Sequence, residues 1–120
     1  GSDGSRGHPR KYGTYPKAYQ DFVVKHELMS PRQWVHRSSG LVADAFALCN
    51  RGYLLEGWVA DLAVIDLDEF QPRADYRAPT ELSTGVRELL IDGISVIRNG
   101  EVTDARPGKI IRKNQQDCSP

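Results

Sequence analysis

Two short blocks with chemical potential open the chain: Ser2-Asp3-Gly4, an acid between small residues, and His8-Pro9-Arg10, a base fixed behind a proline. A carboxylate can shuttle protons, and a guanidinium offers a rigid fork that fits another carboxylate in bidentate fashion. Each also has an ordinary reading. Asp-Gly is turn chemistry, or part of a cloning remnant that begins Gly1-Ser2, and Arg10 is a solvated loop arginine. His8, His26 and His36 do not share metal-ligand spacing, so they suggest no metal site. Cys49 and Cys118 form no Cys-x-x-Cys pair and read as reduced thiols, Cys49 as a small buried apolar side chain.

The most informative run lies further on, Gly57-Trp58-Val59-Ala60-Asp61-Leu62-Ala63-Val64 followed by Asp66. Asp61 stands at the mouth of a short apolar strand, where its carboxylate is placed to cap a turn or accept backbone N–H bonds rather than to catalyse. Gly57, Gly93, Gly100 and Gly108 are turn glycines, because no helix start follows them at the spacing a phosphate-binding loop needs. Trp34, Trp58 and the tyrosines read as core or interface packing.

The elements that must position these residues follow from periodicity. Residues 1–15 read as a loop, and Tyr19, Phe22, Val23 and His26 recur at helical spacing from Pro16 to about Glu27, with Pro16 at the first helical position. Ser30, Pro31 and Gln33 form a capping-box start, with Met29 and Trp34 spaced for a hydrophobic staple and Gly40 as the stop. Leu41 to Leu48 makes a third helix. Beyond Gly52 the pattern turns to strands: Asp61 to Asp66, then Val86 to Ile91 and Ile94 to Arg98 around Asp92-Gly93, a strong hairpin signal. Asn99-Gly100 reverses the chain into Glu101-Val102, and Lys109 to Arg112 is expected to form a last strand. Residues 67–84 read as a connecting loop and 114–120 as a disordered tail. The helical and sheet halves need not share a core, and so small a sheet needs cover from elsewhere.

Composition narrows the class. Sixteen basic and sixteen acidic residues cancel, so no overall field draws the chain to nucleic acid or anionic lipid. No apolar run is long enough to span a bilayer, and the amino end lacks the apolar core of a secretion signal. Together with the reduced thiols this suggests a cytoplasmic protein.

In order, Ser2-Asp3-Gly4, His8-Pro9-Arg10, Tyr12-Gly13-Thr14-Tyr15-Pro16, Gly52 through Asp66, Val86 to Gly93, Asn99-Gly100 and Thr103 to Lys109 resemble the carboxyl-terminal part of an N-acyl-D-amino-acid deacylase, or D-aminoacylase, of the amidohydrolase superfamily. The resemblance implies an α+β fragment. Its residues 1–50 would be the last loop and following helices of a (β/α)8 barrel, 51–113 strands of a small composite β-sandwich, and 114–120 a tail. It implies that the parent hydrolyses N-acyl-D-amino acids to a D-amino acid and a carboxylate, using zinc or another divalent metal to activate water and polarise the carbonyl. By the same resemblance Asp3 is the catalytic proton shuttle and a possible metal contact, and Arg10 binds the substrate α-carboxylate. The Cys and His metal ligands would lie on earlier strands, so no metal and no activity are expected of the isolated chain. Its partners are the substrate, the rest of the parent chain and, through exposed strand edges, other copies of itself. Two alternatives stay open: another amidohydrolase, of cyclic amidase or deaminase type, and a non-catalytic β-sandwich interaction module.

Overall fold

The computed structural model describes residues 7–112. Helix α1 spans Arg10–Tyr19 and continues as a π-helical segment, Gln20–Lys25; α2 is Pro31–Ser38 and α3 Gly40–Ala45. Strands β1 (Leu62–Ile65), β2 (Val86–Ile91), β3 (Ile94–Arg98) and β4 (Glu101–Val102) form one antiparallel sheet in the order β1-β2-β3-β4. The chain is thus a small α+β unit.

The first helix corrects the sequence expectation. It begins at Arg10, not Pro16, and Pro16 lies inside it. Pro9 presets the helical backbone (φ −66°, ψ −18°) and its carbonyl accepts the N–H groups of Tyr12 and Gly13, each at 3.1 Å. An interior proline cannot donate to the carbonyl four residues earlier, which here belongs to Tyr12. The hydroxyl of Ser83 donates to that carbonyl instead, at 2.7 Å. A side chain remote in sequence thereby satisfies the acceptor that the proline leaves empty.

The start of α2 matches its reading. Ser30 accepts from the Gln33 N–H at 3.3 Å while the Gln33 side chain accepts from the Ser30 N–H at 2.8 Å, and Met29 packs on the cluster that contains Trp34. Gly40 is not a helix stop. It is buried at the start of α3, and a Cβ there would lie 2.6 Å from Cζ of Tyr53, so its smallness admits that ring.

Tyr19, Val23, Trp34 and Phe70 form the core, with Met29, Ile65 and Val86 packed against it. Three of the rings meet edge to face: Tyr19 and Trp34 at 5.2 Å, Trp34 and Phe70 at 5.7 Å, Tyr19 and Phe70 at 5.9 Å between centroids, the arrangement that aromatic quadrupoles favour. Phe70 comes from the 67–84 connection, while Ile65 and Val86 come from β1 and β2. Residues of the helical and sheet halves therefore meet in one core. Ordinary loop composition concealed Phe70, which is 3% exposed.

Asp92 and Gly93, at φ +52° and +76°, turn β2 into β3, and Asn99 and Gly100, at +52° and +82°, turn β3 into β4. Positive φ at both central residues matches the twist of paired strands. The strand expected at Lys109 to Arg112 does not form; that segment crosses the tip of the first hairpin, where Lys109 Nζ meets Asp92 at 2.9 Å. No strand residue among those described is fully buried. Ile65 and Val86 meet the core, while Val64, Ile94 and Val102 are exposed.

Candidate functional site

Arg10, expected to bind substrate, is the first residue of α1 and is exposed. Its N–H belongs to the first helical turn, whose donors have no partner within the helix. The N-cap Pro9 offers no side-chain acceptor. Nδ1 of His8 takes this role, accepting the Arg10 N–H at 3.1 Å. Acceptance at Nδ1 assigns the ring proton to Nε2, which lies 3.2 Å from the hydroxyl of Tyr76. The His8 and Tyr76 rings meet edge-on, 5.3 Å between centroids at 72°.

The rest of the 67–84 connection holds Tyr76 in place. Asp75 Oδ1 accepts the N–H groups of Arg77 and Ala78 at 2.8 and 2.7 Å, a tight Asx turn around Tyr76. Pro72 and Ala74 lie beside Gly13, where a Cβ would be 3.5 Å from the Pro72 Cβ, and Gln20 Nε2 donates to the Phe70 carbonyl at 2.8 Å. The connection is thus strapped along the first helix and its π-helical continuation, from Tyr12 to Gln20. Tyr76 and Ser83 carried no sequence signal beyond being polar residues in a polar stretch.

Asp3, the expected catalytic carboxylate, lies outside the described residues, as does the expected tail at 114–120. Among the described residues no three His, Cys, Asp or Glu side chains converge where a metal ion could sit. The described residues therefore do not fit a metal centre. Cys49, expected to be buried, is half-buried. The chain's other cysteine, Cys118, is outside the described residues. No helix among the described residues is long and apolar enough to cross a membrane.

Asp61 does what its place at the strand mouth implied. Its Oδ1 accepts the Asp92 N–H at 2.8 Å, its Oδ2 pairs with Arg51, and the neighbouring Ala60 carbonyl accepts the Gly93 N–H at 3.0 Å. The Ala60-Asp61 pair therefore clasps the hairpin tip, and Lys109 closes the cluster through Asp92. This hydrogen bond and charge from Lys109 hold the Asp92 carboxyl below the usual carboxylate range. The cluster borders an open cavity of about 340 Å³ lined by Leu62, Leu90, Ile91 and Ile111 among others. Its charges satisfy one another, which makes it a structural clasp. Elsewhere, the Arg87 guanidinium depresses the Asp66 carboxyl, and the Tyr53 hydroxyl, donating to Asp44 at 2.6 Å, is raised above the ordinary tyrosine value by that bond.

No family model matches the chain. It is 34% identical over 118 residues to an N-acyl-D-glutamate deacylase from Alcaligenes xylosoxydans xylosoxydans, covering 95% of this chain and 24% of the relative. Among solved structures it is similar to a D-aminoacylase studied for the role of its binuclear metal centre, at 30% identity and TM-score 0.76, covering 82% of this chain and 21% of the other. It is also similar to an N-acyl-D-glutamate deacylase from Bordetella bronchiseptica, solved with zinc and a phosphonate mimic of the tetrahedral intermediate. That match has 33% identity and TM-score 0.72, over 82% of this chain and 22% of the other. The chain spans about a quarter of the length of the curated relatives it matches.

Proposed function

We propose, because this chain belongs to the N-acyl-D-amino-acid deacylase family of amidohydrolases, that it is the carboxyl-terminal portion of an enzyme releasing D-amino acids from their N-acyl derivatives. The observation that carries this reading is the near-complete match of these 120 residues to about a quarter of the N-acyl-D-glutamate deacylase from Alcaligenes xylosoxydans xylosoxydans. In this reading residues 1–50 close a (β/α)8 barrel and residues 51–113 contribute strands to a sandwich completed by polypeptide from elsewhere in the protein. The exposed strand residues Val64, Ile94 and Val102 support it.

Arg10, projecting from the first turn of α1, captures the free α-carboxylate of the substrate through a two-pronged, charge-assisted contact. This orients the acyl amide in the site, and orientation alone lowers a barrier substantially. Asp3 carries the proton from the attacking water to the leaving amine. The metal ligands come from outside the described residues, and we assign no step to a metal held by them.

Hydrolysis of N-acyl-D-amino acids against their L-enantiomers and against cyclic amides, using the protein in which this chain follows a barrel, tests the reading. Stereoselective release of free D-amino acid supports it. Preference for cyclic amides assigns the chain to another amidohydrolase branch.

A further inference from the structure

We infer that Tyr76 is a positioning residue for Arg10, acting through the ring of His8; this rests on the reading of Arg10 as the carboxylate-binding residue. Three observations converge. The Arg10 N–H has no side-chain acceptor at the N-cap, and His8 Nδ1 takes it at 3.1 Å. The other ring nitrogen faces the Tyr76 hydroxyl at 3.2 Å, so the two contacts together fix both the tautomer and the plane of the ring. Tyr76 sits on a turn closed by Asp75 and is 78% exposed. Burial therefore does not place this large aromatic, whereas its contacts to His8 do.

The consequence is directional. A helix start whose first N–H is held by a side chain frays less than an open one. The stem of Arg10 leaves the backbone at that residue. Ordering of the Tyr76 turn therefore sets the direction from which the guanidinium meets its ligand. The 67–84 connection also bonds α1 at Tyr12 and the π-helical segment at Gln20, which ties the turn to the helix. Removing the Tyr76 hydroxyl releases the His8 ring while keeping the edge-on aromatic contact.

The test uses the full-length enzyme with an N-acyl-D-amino acid and with the matching substrate whose free carboxylate is replaced by a primary amide. Arg10→Gln is expected to raise KM for the acid by roughly a hundredfold and to leave the amide unchanged, the loss of a charge-assisted pair. Tyr76→Phe is expected to raise KM for the acid by roughly fivefold with kcat unchanged, the loss of one hydrogen bond, and to add nothing in the Arg10→Gln background. If Tyr76→Phe leaves KM for the acid unchanged while Arg10→Gln raises it, the positioning role is overturned and the reading of Arg10 stands. If Arg10→Gln affects acid and amide alike, both are overturned.

Discussion

Ser83 donates a 2.7 Å hydrogen bond to the carbonyl of Tyr12, the one backbone acceptor in α1 that Pro16 cannot serve. The helix that presents Arg10 can thus carry an interior proline. The defect lies against the 67–84 connection and is repaired by it.

Ser83→Ala should destabilise the protein by about 1 kcal/mol, because it leaves a part-buried carbonyl without a donor. Pro16→Ala restores the N–H and with it an intrahelical partner for Tyr12. In urea titrations the Ser83→Ala cost should therefore shrink in the Pro16→Ala background. Equal costs in both backgrounds would show that the two positions are uncoupled.

Phe70→Ala should cost about 3–5 kcal/mol, the range for removing a buried aromatic. Since Phe70 touches both Tyr19 and Trp34 and the cluster includes Ile65 and Val86, helix and sheet signals should be lost in a single transition. Two separated transitions would mean that the halves do not depend on a common core.

At Gly85, where φ is +85°, a Cβ would lie 2.5 Å from the backbone N and Cα of Phe70. The backbone N–H of Asp66 donates to the Gly85 carbonyl at 2.8 Å, which fixes the approach of β1 to β2. Gly85→Ala should destabilise by about 1–3 kcal/mol through backbone strain and displacement of Phe70. A chain as stable as the parent would refute this packing.

The shifted groups give a pH profile with two limbs. The Asp66 and Asp92 carboxyls are depressed, chiefly by hydrogen bonds from Arg87 and Lys109. Their contribution is present above the ordinary carboxylate value of about 4 and is lost as pH falls through the lowered folded values. Tyr53 is raised, so its contribution is present below the ordinary tyrosine value of about 10 and is lost as pH rises through the folded value. These groups are solvent-screened, so the limbs should be shallow and flatten with added salt. Asp66→Asn should flatten only the acid limb and Tyr53→Phe only the alkaline one in thermal melts across pH.

What the sequence disclosed was local chemistry. Asp92-Gly93 and Asn99-Gly100 specify their turns through residues that tolerate positive φ, and Ser30 with Gln33 specifies a helix start within four residues. Asp61 was legible as a backbone acceptor because a short acid at a strand mouth has few other uses. What remained hidden depends on distance along the chain. Pro16 reads as a helix opener unless Ser83, 71 residues from Tyr12, is known to be beside it. Gly40 reads as a stop unless Tyr53 is known to occupy the space its missing side chain leaves. Phe70 and Tyr76 reside in a stretch whose composition says only loop, and they are the residues that tie it to the core and to His8. Of the expected site, Arg10 was visible as a residue type. Its support by His8 and Tyr76 was not.

The most direct test of the account compares metal binding and hydrolysis of N-acyl-D-amino acids by these 120 residues alone and by the same residues joined to an upstream barrel. The account predicts a zinc-dependent release of D-amino acid from the joined protein, abolished by Asp3→Ala, and neither bound metal nor turnover from the isolated chain. Stoichiometric zinc and turnover in the isolated chain would contradict it.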